Sequence, residues 1–234
     1  MPEPVLAVSG LDAFYGDFQA LFNVSLSVGA NEMLAIIGAN GAGKSTFLRA
    51  VAGLLGARRD AIRFRGEAIG GASADAVLKR GIALVPEGRR LFPSLNVEEN
   101  LVIGGQLGRG GAWSLERIYA LFPVLRERCR LPATALSGGQ QQMAAIGRAL
   151  MSNPDFILFD EISLGLAPVV IKDIYSALPD IISEGTSAII VEQDITRALS
   201  VADRVVCLQE GRVSLEGRPA ELDRAAISAA YFGV

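Results

Sequence analysis

Apolar positions along the chain gather into short runs set off by turn residues. The stretches "VLAV" (5–8), "ALFNVSLSV" (20–28), "MLAIIG" (33–38), "AIRFRG" (61–66), "GIALVP" (81–86), "DFILFD" (155–160), "TSAIIVE" (186–192) and "RVVCLQ" (204–209) are rich in β-branched or other apolar residues, which predicts strands. Several are apolar throughout instead of alternating. A strand of that kind is covered on both faces, so the pattern predicts a mostly parallel sheet flanked by helices, an α/β class.

Between Val97 and Arg130 the period changes. "VEENLVIGG" and "SLERIYALFPVLRER" carry helical spacing and are separated by the glycine-rich "GQLGRGGAW". This predicts a helical subdomain over 88–150, inserted into an α/β core made of 1–87 and 151–234. No internal repeat or low-complexity segment interrupts the chain.

Composition bounds what such a fold does. At 234 residues, with 50% apolar and 20% charged, the chain is long enough for one domain with a real core. Its mean hydropathy of +0.36 fits either a large core or an apolar surface covered by a partner. A net charge of −3 and a pI near 5.2 provide no basic field, which excludes duplex nucleic acid as the main partner. The N-terminal "MPEPVLAVSGLD" is acidic where a secretory signal is basic, and no apolar run reaches the roughly 18 to 20 residues that span a bilayer. A soluble, cytosolic chain is expected, with Cys129 and Cys207 reduced and mostly buried. The chain has no histidine, which removes histidine acid–base chemistry, histidine nucleophiles and most zinc sites.

Three motifs carry chemistry. "GANGAGKST" follows a strand, precedes the helical "STFLRAVAGLL" and fits G-x-x-x-x-G-K-[ST]. Backbone N–H groups freed by its glycines close around phosphate, Lys44 places a charge on the β and γ phosphates, and the Ser45 hydroxyl is positioned for Mg²⁺. Gly38, Asn40, Gly41, Gly43, Lys44, Ser45 and Thr46 are thus the expected ATP-binding set. "FILFDE" ends a strand in two acids: Asp160 is expected to hold Mg²⁺ through its water shell, and Glu161 to orient or deprotonate an attacking water. The third motif, "LSGGQ" at 136–140, is a second glycine-rich helix entrance, and such an entrance also favours an anion.

The order of these motifs, with "FILFDE" beginning 16 residues after Gln140, resembles the ATP-binding cassette family over almost the whole chain. The resemblance implies a P-loop nucleotide-hydrolase core with an antiparallel β subdomain and an inserted helical subdomain. It further implies that Ser137, Gly138, Gly139 and Gln140 face an ATP held by a second cassette subunit, identical or homologous, packed head to tail. Tyr15 stands where the family places an aromatic ring against adenine. Glu87, in "LVPEGRRLFPSLNVEENL", occupies the place of a glutamine that reaches Mg²⁺ and the attacking water. Three further positions depart from the family pattern: Ile162 replaces a proline, Ala167 an aspartate that senses the opposite subunit, and Gln193 a histidine that touches the γ-phosphate.

Glu87, "SLGLAP" and "VEQD" together look most like the ATPase subunits of branched-chain amino-acid importers. That likeness implies two integral membrane permease subunits, an external solute-binding protein, a place on the cytoplasmic face of the inner membrane, and coupling through a groove near Glu87 to Asn100. A urea or amide importer ATPase is the alternative within the class. A soluble cassette acting on ribosomes or DNA is the alternative outside it, disfavoured by the single short cassette and the acidic pI.

Overall fold

In the computed structural model, which describes residues 3–107 and 109–232, the chain folds as two sheets and nine α-helices among the described residues. Met1 and Pro2 of the N-terminal stretch, Gly108 of the glycine-rich connection, and residues 233–234 lie outside the described residues. The strands are β1 (Leu6–Tyr15), β2 (Phe18–Val28), β3 (Met33–Ile37), β4 (Ile62–Phe64), β5 (Glu67–Ala68), β6 (Ile82–Val85), β7 (Phe156–Asp160), β8 (Ser187–Glu192), β9 (Arg204–Gln209) and β10 (Arg212–Gly217). The helices are α1 (Lys44–Val51), α2 (Ala74–Lys79), α3 (Val97–Gly104), α4 (Leu115–Leu121), α5 (Pro123–Glu127), α6 (Gly138–Leu150), α7 (Pro168–Ser183), α8 (Ile195–Val201) and α9 (Arg224–Phe232).

The larger sheet has the order β10-β9-β3-β8-β7-β6. Its inner pairs are all parallel, and only β10 runs antiparallel, at the edge. Alternate side chains of each inner strand point to opposite faces, and each face has its own core. Ala35, Ile37, Ile157, Phe159, Ala188 and Ile190 pack with the residues of α3–α7 on one face. Leu34, Ile36, Phe156, Leu158, Ile189 and Val191 pack with α1 and the smaller sheet on the other. Two covered faces account for the continuous apolar runs. Register brings the carboxyl ends of three strands together, with Ile37 opposite Glu192 and Asp160 opposite Val191. Ligand sites of parallel α/β sheets lie at that edge.

The smaller sheet, β2-β1-β4-β5, is antiparallel. Strand β1 runs well beyond the expected 5–8, because irregular register at Val8/Leu11 and Leu11/Ala13 breaks the alternation that would have marked it in sequence. Strand β10 was not expected at all: "RVSLEG" has no fully buried residue and lies on an edge.

Between β6 and β7 the described residues form helices and turns, with one isolated bridge between Asn96 and Pro132. Helix α3 opens with a reciprocal capping box between Asn96 and Glu99. The helical spacing of "SLERIYALFPVLRER" is realised as two helices, α4 and α5, since Pro123 cannot continue a helix but suits its first position. Cys207 lies buried in the core and Cys129 is partly buried against it; both are free thiols. No helix among the described residues is long and apolar enough to cross a membrane.

Candidate active site

The phosphate loop joins the end of β3 to α1. Gly43, the N-cap of α1, has φ +102, where side chains are strained, and a Cβ there would stand 2.6 Å from Leu21 Cδ2. Lys44 follows, only 4% exposed. Its Nζ donates to the carbonyls of Gly38 (2.8 Å) and Ala39 (3.1 Å) and lies 3.7 Å from Glu161 Oε1. The ammonium is thus held at the centre of the loop, among groups that phosphate oxygens can replace.

Ser45 Oγ donates to Asp160 Oδ1 at 2.9 Å, tying the start of α1 to the end of β7. Burial pushes the Asp160 carboxyl above its ordinary range; the Ser45 hydrogen bond opposes this, and the charges of Glu161 and Glu87 add to it. A hydroxyl beside a buried carboxylate is a hard oxygen pair of the kind Mg²⁺ takes. Among the described residues no three His, Cys, Asp or Glu side chains gather into a protein-only metal cage. That donor set fits an ion that shares its ligands with substrate phosphates and water.

Glu161, one residue past β7, has φ +48, an uncommon conformation for a non-glycine side chain. Its N–H donates to Val191 O at 3.0 Å, and its Oε2 accepts from Gln193 Nε2 at 2.6 Å. Seven other described non-glycine residues share a positive φ, so what marks Glu161 is its place beside Lys44 and Gln193.

A cavity of about 780 Å³ opens over the loop, lined by Tyr15, Asn40, Gly41, Lys44, Thr46 and Glu161 among others. That volume suits a nucleotide-sized ligand. The half-exposed Tyr15 accepts from Arg49 NH1 at 3.3 Å, and its hydroxyl lies 3.5 Å from Thr46 Oγ1. Phe18 and Arg212 also line this cavity and escaped the sequence reading; they come from β2 and from the unexpected β10. Glu87 lies exposed in the turn after β6, outside the cavity lining but near enough for its charge to raise Asp160.

The structure does not bring Ser137–Gln140 to this cavity, whose lining contains none of them. They form the entrance of α6 as a capping box: Ser137 Oγ accepts from Gln140 N (3.4 Å), and Gln140 Oε1 accepts from Ser137 N (3.0 Å). A Cβ on Gly139 would overlap the Val170 side chain of α7, and one on Gly138 would meet the Arg89 guanidinium. Of the departing positions, Ile162 is buried and Ala167 is the N-cap of α7. A second concavity, about 480 Å³, lies between α1, α2, α3 and α6, with Leu54 and Phe92 exposed at its wall and Arg148 beneath Phe92.

The family model described as ABC transporter matches residues 21–163. The chain is 42% identical over 220 residues to BraG, a high-affinity branched-chain amino acid transport ATP-binding protein of Pseudomonas aeruginosa, covering 93% of this chain and 94% of that one. It is also similar to the solved cassette MJ1267 of an ABC transporter (TM-score 0.83, 27% identity, 99% and 98% of the two chains). The dimeric cassette MJ0796 bound to ADP and Pi matches with a TM-score of 0.81 and 26% identity, over 92% and 98%. A phosphate loop, a strand-end carboxylate pair and a separate signature helix in one two-sheet fold agree with that match: the chain belongs to the ABC transporter family, as an ATP-binding and ATP-hydrolysing cassette.

Proposed function

We propose that this cassette powers an importer of branched-chain amino acids, with similarity to BraG along nearly the whole chain as the observation that carries the reading. It acts as one of two cassettes, identical or homologous, that close on ATP, hydrolyse it and reopen. Residues 1–87 and 151–234 serve as the nucleotide-binding core, and 88–150 as the helical subdomain that presents the signature. Two integral membrane permease subunits hold the pair at the cytoplasmic face of the inner membrane, with an external solute-binding protein feeding the permeases. The apolar concavity beside Leu54 and Phe92 receives them.

The residue roles follow from charge and position. Lys44 and the loop N–H groups of Gly38, Asn40, Gly41 and Gly43 bind the phosphates, with Thr46 beside them, and Tyr15 packs on the base. Ser45 and Asp160 hold Mg²⁺, which neutralises charge on the phosphate oxygens. Glu161 orients and deprotonates the attacking water, Gln193 steadies Glu161 and the γ-phosphate side, and Glu87 takes the place of the glutamine that reaches Mg²⁺ and the attacking water. Ser137, Gly138, Gly139 and Gln140 serve the site completed by the other cassette: two anion-favouring helix entrances that do not meet within one chain can share a γ-phosphate only across a dimer.

Two measurements test this. Glu161→Gln keeps shape and removes the base, so it should bind ATP, hold two cassettes together and stop turning over; normal turnover would assign the water to another group. Cells carrying Lys44→Ala should lose uptake of radiolabelled leucine. Intact leucine uptake with loss of urea or amide uptake would favour the alternative importer class.

A further inference from the structure

Glu192, the last residue of β8, is only 2% exposed and continues a run of buried apolar residues. A carboxylate there is costly unless fully hydrogen-bonded, and nothing in the sheet requires one. Each of its oxygens takes one hydroxyl: Oε1 accepts from Tyr175 of α7 at 2.6 Å, and Oε2 from Ser163 at 2.8 Å. Ser163 is itself buried, and its Oγ also accepts from Arg197 NH1 of α8 at 3.2 Å. Three segments thus meet at one carboxylate, β8, α7 and the connection that follows Glu161, and α8 joins them through Ser163.

This convergence sits beside the reacting groups. Ser163 is two residues after Glu161, Glu192 is one before Gln193, and Gln193 donates to Glu161 at 2.6 Å. The Glu161–Gln193 and Ser163–Glu192 hydrogen bonds with the two short backbone stretches therefore form a closed ring. The carbonyl of Gln193 also accepts from Tyr231 of α9 at 3.3 Å. A small concavity lined by Glu161, Ser163, Glu192, Gln193 and Arg197 lies over the ring.

We propose that Glu192 is a positioning residue for ATP hydrolysis: through Ser163 and Tyr175 it holds Gln193 and Glu161 in the separation at which their hydrogen bond forms. This rests on the reading that Glu161 and Gln193 act on ATP. It adds that their geometry is set from behind by a buried carboxylate, which links the 161–167 connection to the end of β8. A displacement of about 1 Å at a reacting group costs up to a hundredfold in rate.

The test uses the full-length chain in steady-state MgATP hydrolysis. Glu192→Ala should lower kcat about 10- to 100-fold with KM for ATP unchanged within about twofold, and Glu192→Gln should recover most of that loss, because an amide can still accept from Tyr175 and donate to Ser163. Tyr175→Phe removes one contact without emptying the site and should lower kcat in the same sense; it decides the matter if the alanine variant does not fold. In a Gln193→Ala background, Glu192→Ala should add almost nothing, since it acts through the residue already removed. Losses that multiply, or that appear in KM, would make Glu192 merely structural and overturn the inference. If Gln193→Ala slows hydrolysis while Glu192→Ala and Tyr175→Phe do not, this inference alone fails. If Gln193→Ala hydrolyses at the wild-type rate, the reading of Gln193 fails and this inference with it.

Discussion

Gln193 Nε2 donates a 2.6 Å hydrogen bond to Glu161 Oε2, joining the residue after β8 to the residue after β7. The other oxygen of Glu161 faces Lys44 Nζ at 3.7 Å. The carboxylate therefore stands between the ammonium at the centre of the loop and a neutral amide that cannot take its proton near pH 7. Of the two, only the amide can orient Glu161 without competing for its charge.

Removal of that amide should slow chemistry and spare binding. A hydrogen bond to a charged group is worth roughly 1.5 to 3 kcal/mol, so Gln193→Ala should reduce kcat about 10- to 150-fold with little change in ATP affinity. Gln193→His should restore much of the rate and introduce a pH dependence above about 6.5, because the Glu161 carboxylate favours the imidazolium. A pH–rate profile unchanged from that of the wild type would place residue 193 away from the reaction.

Lys44→Ala removes the donor to two loop carbonyls as well as the charge. Titration with a fluorescent ATP analogue should show binding lost, while circular dichroism shows the helices and sheets retained. An unchanged affinity would remove the phosphate loop from the site.

Gly139 should prove sensitive for a reason internal to the chain. A Cβ there overlaps Val170, and overpacking of this kind costs about 1 to 3 kcal/mol. Gly139→Ala should lower Tm, and Val170→Ala should restore it in the double variant without necessarily restoring hydrolysis. A Gly139→Ala variant as stable as wild type would mean that α6 and α7 shift apart freely.

Stability should also carry the signature of Glu192. Burial raises its carboxyl above the ordinary value of 4.5, against the lowering contributions of Tyr175, Ser163 and Arg197. In the window between the ordinary and the raised value the folded state binds the proton more tightly than the unfolded chain, so stability falls as pH rises through it. Glu192→Gln cannot ionise. Its Tm relative to wild type should therefore increase from pH 4.5 upward and then level off; parallel Tm curves would show the carboxyl to be unshifted.

The parts of the site legible in sequence are contiguous ones. Gly38 to Thr46 form a loop and helix start whose conformation depends on neighbouring residues, and Asp160 and Glu161 end an apolar strand with two acids. The capping box of Ser137 and Gln140 is equally local. Strand β1 beyond Val8 and all of β10 were not legible, because irregular register hides the alternation of one and exposure weakens the apolar signal of the other. The break at Pro123 was legible in principle, and helical periodicity on both sides masked it.

The amino-acid sequence by itself determined the α/β class, the phosphate loop, the carboxylate pair and the separate signature helix, since each is written in residues close along the chain. Tertiary structure alone decided which of them meet. Glu161 and Gln193, 32 positions apart, touch because β7 and β8 pair in parallel with Asp160 opposite Val191. Glu192 becomes a buried anchor only when α7, α8 and the 161–167 connection close over the end of β8. The order and register of a parallel sheet rest on pairings between distant segments, and no local pattern encodes a partner that the chain must cross a helix to reach.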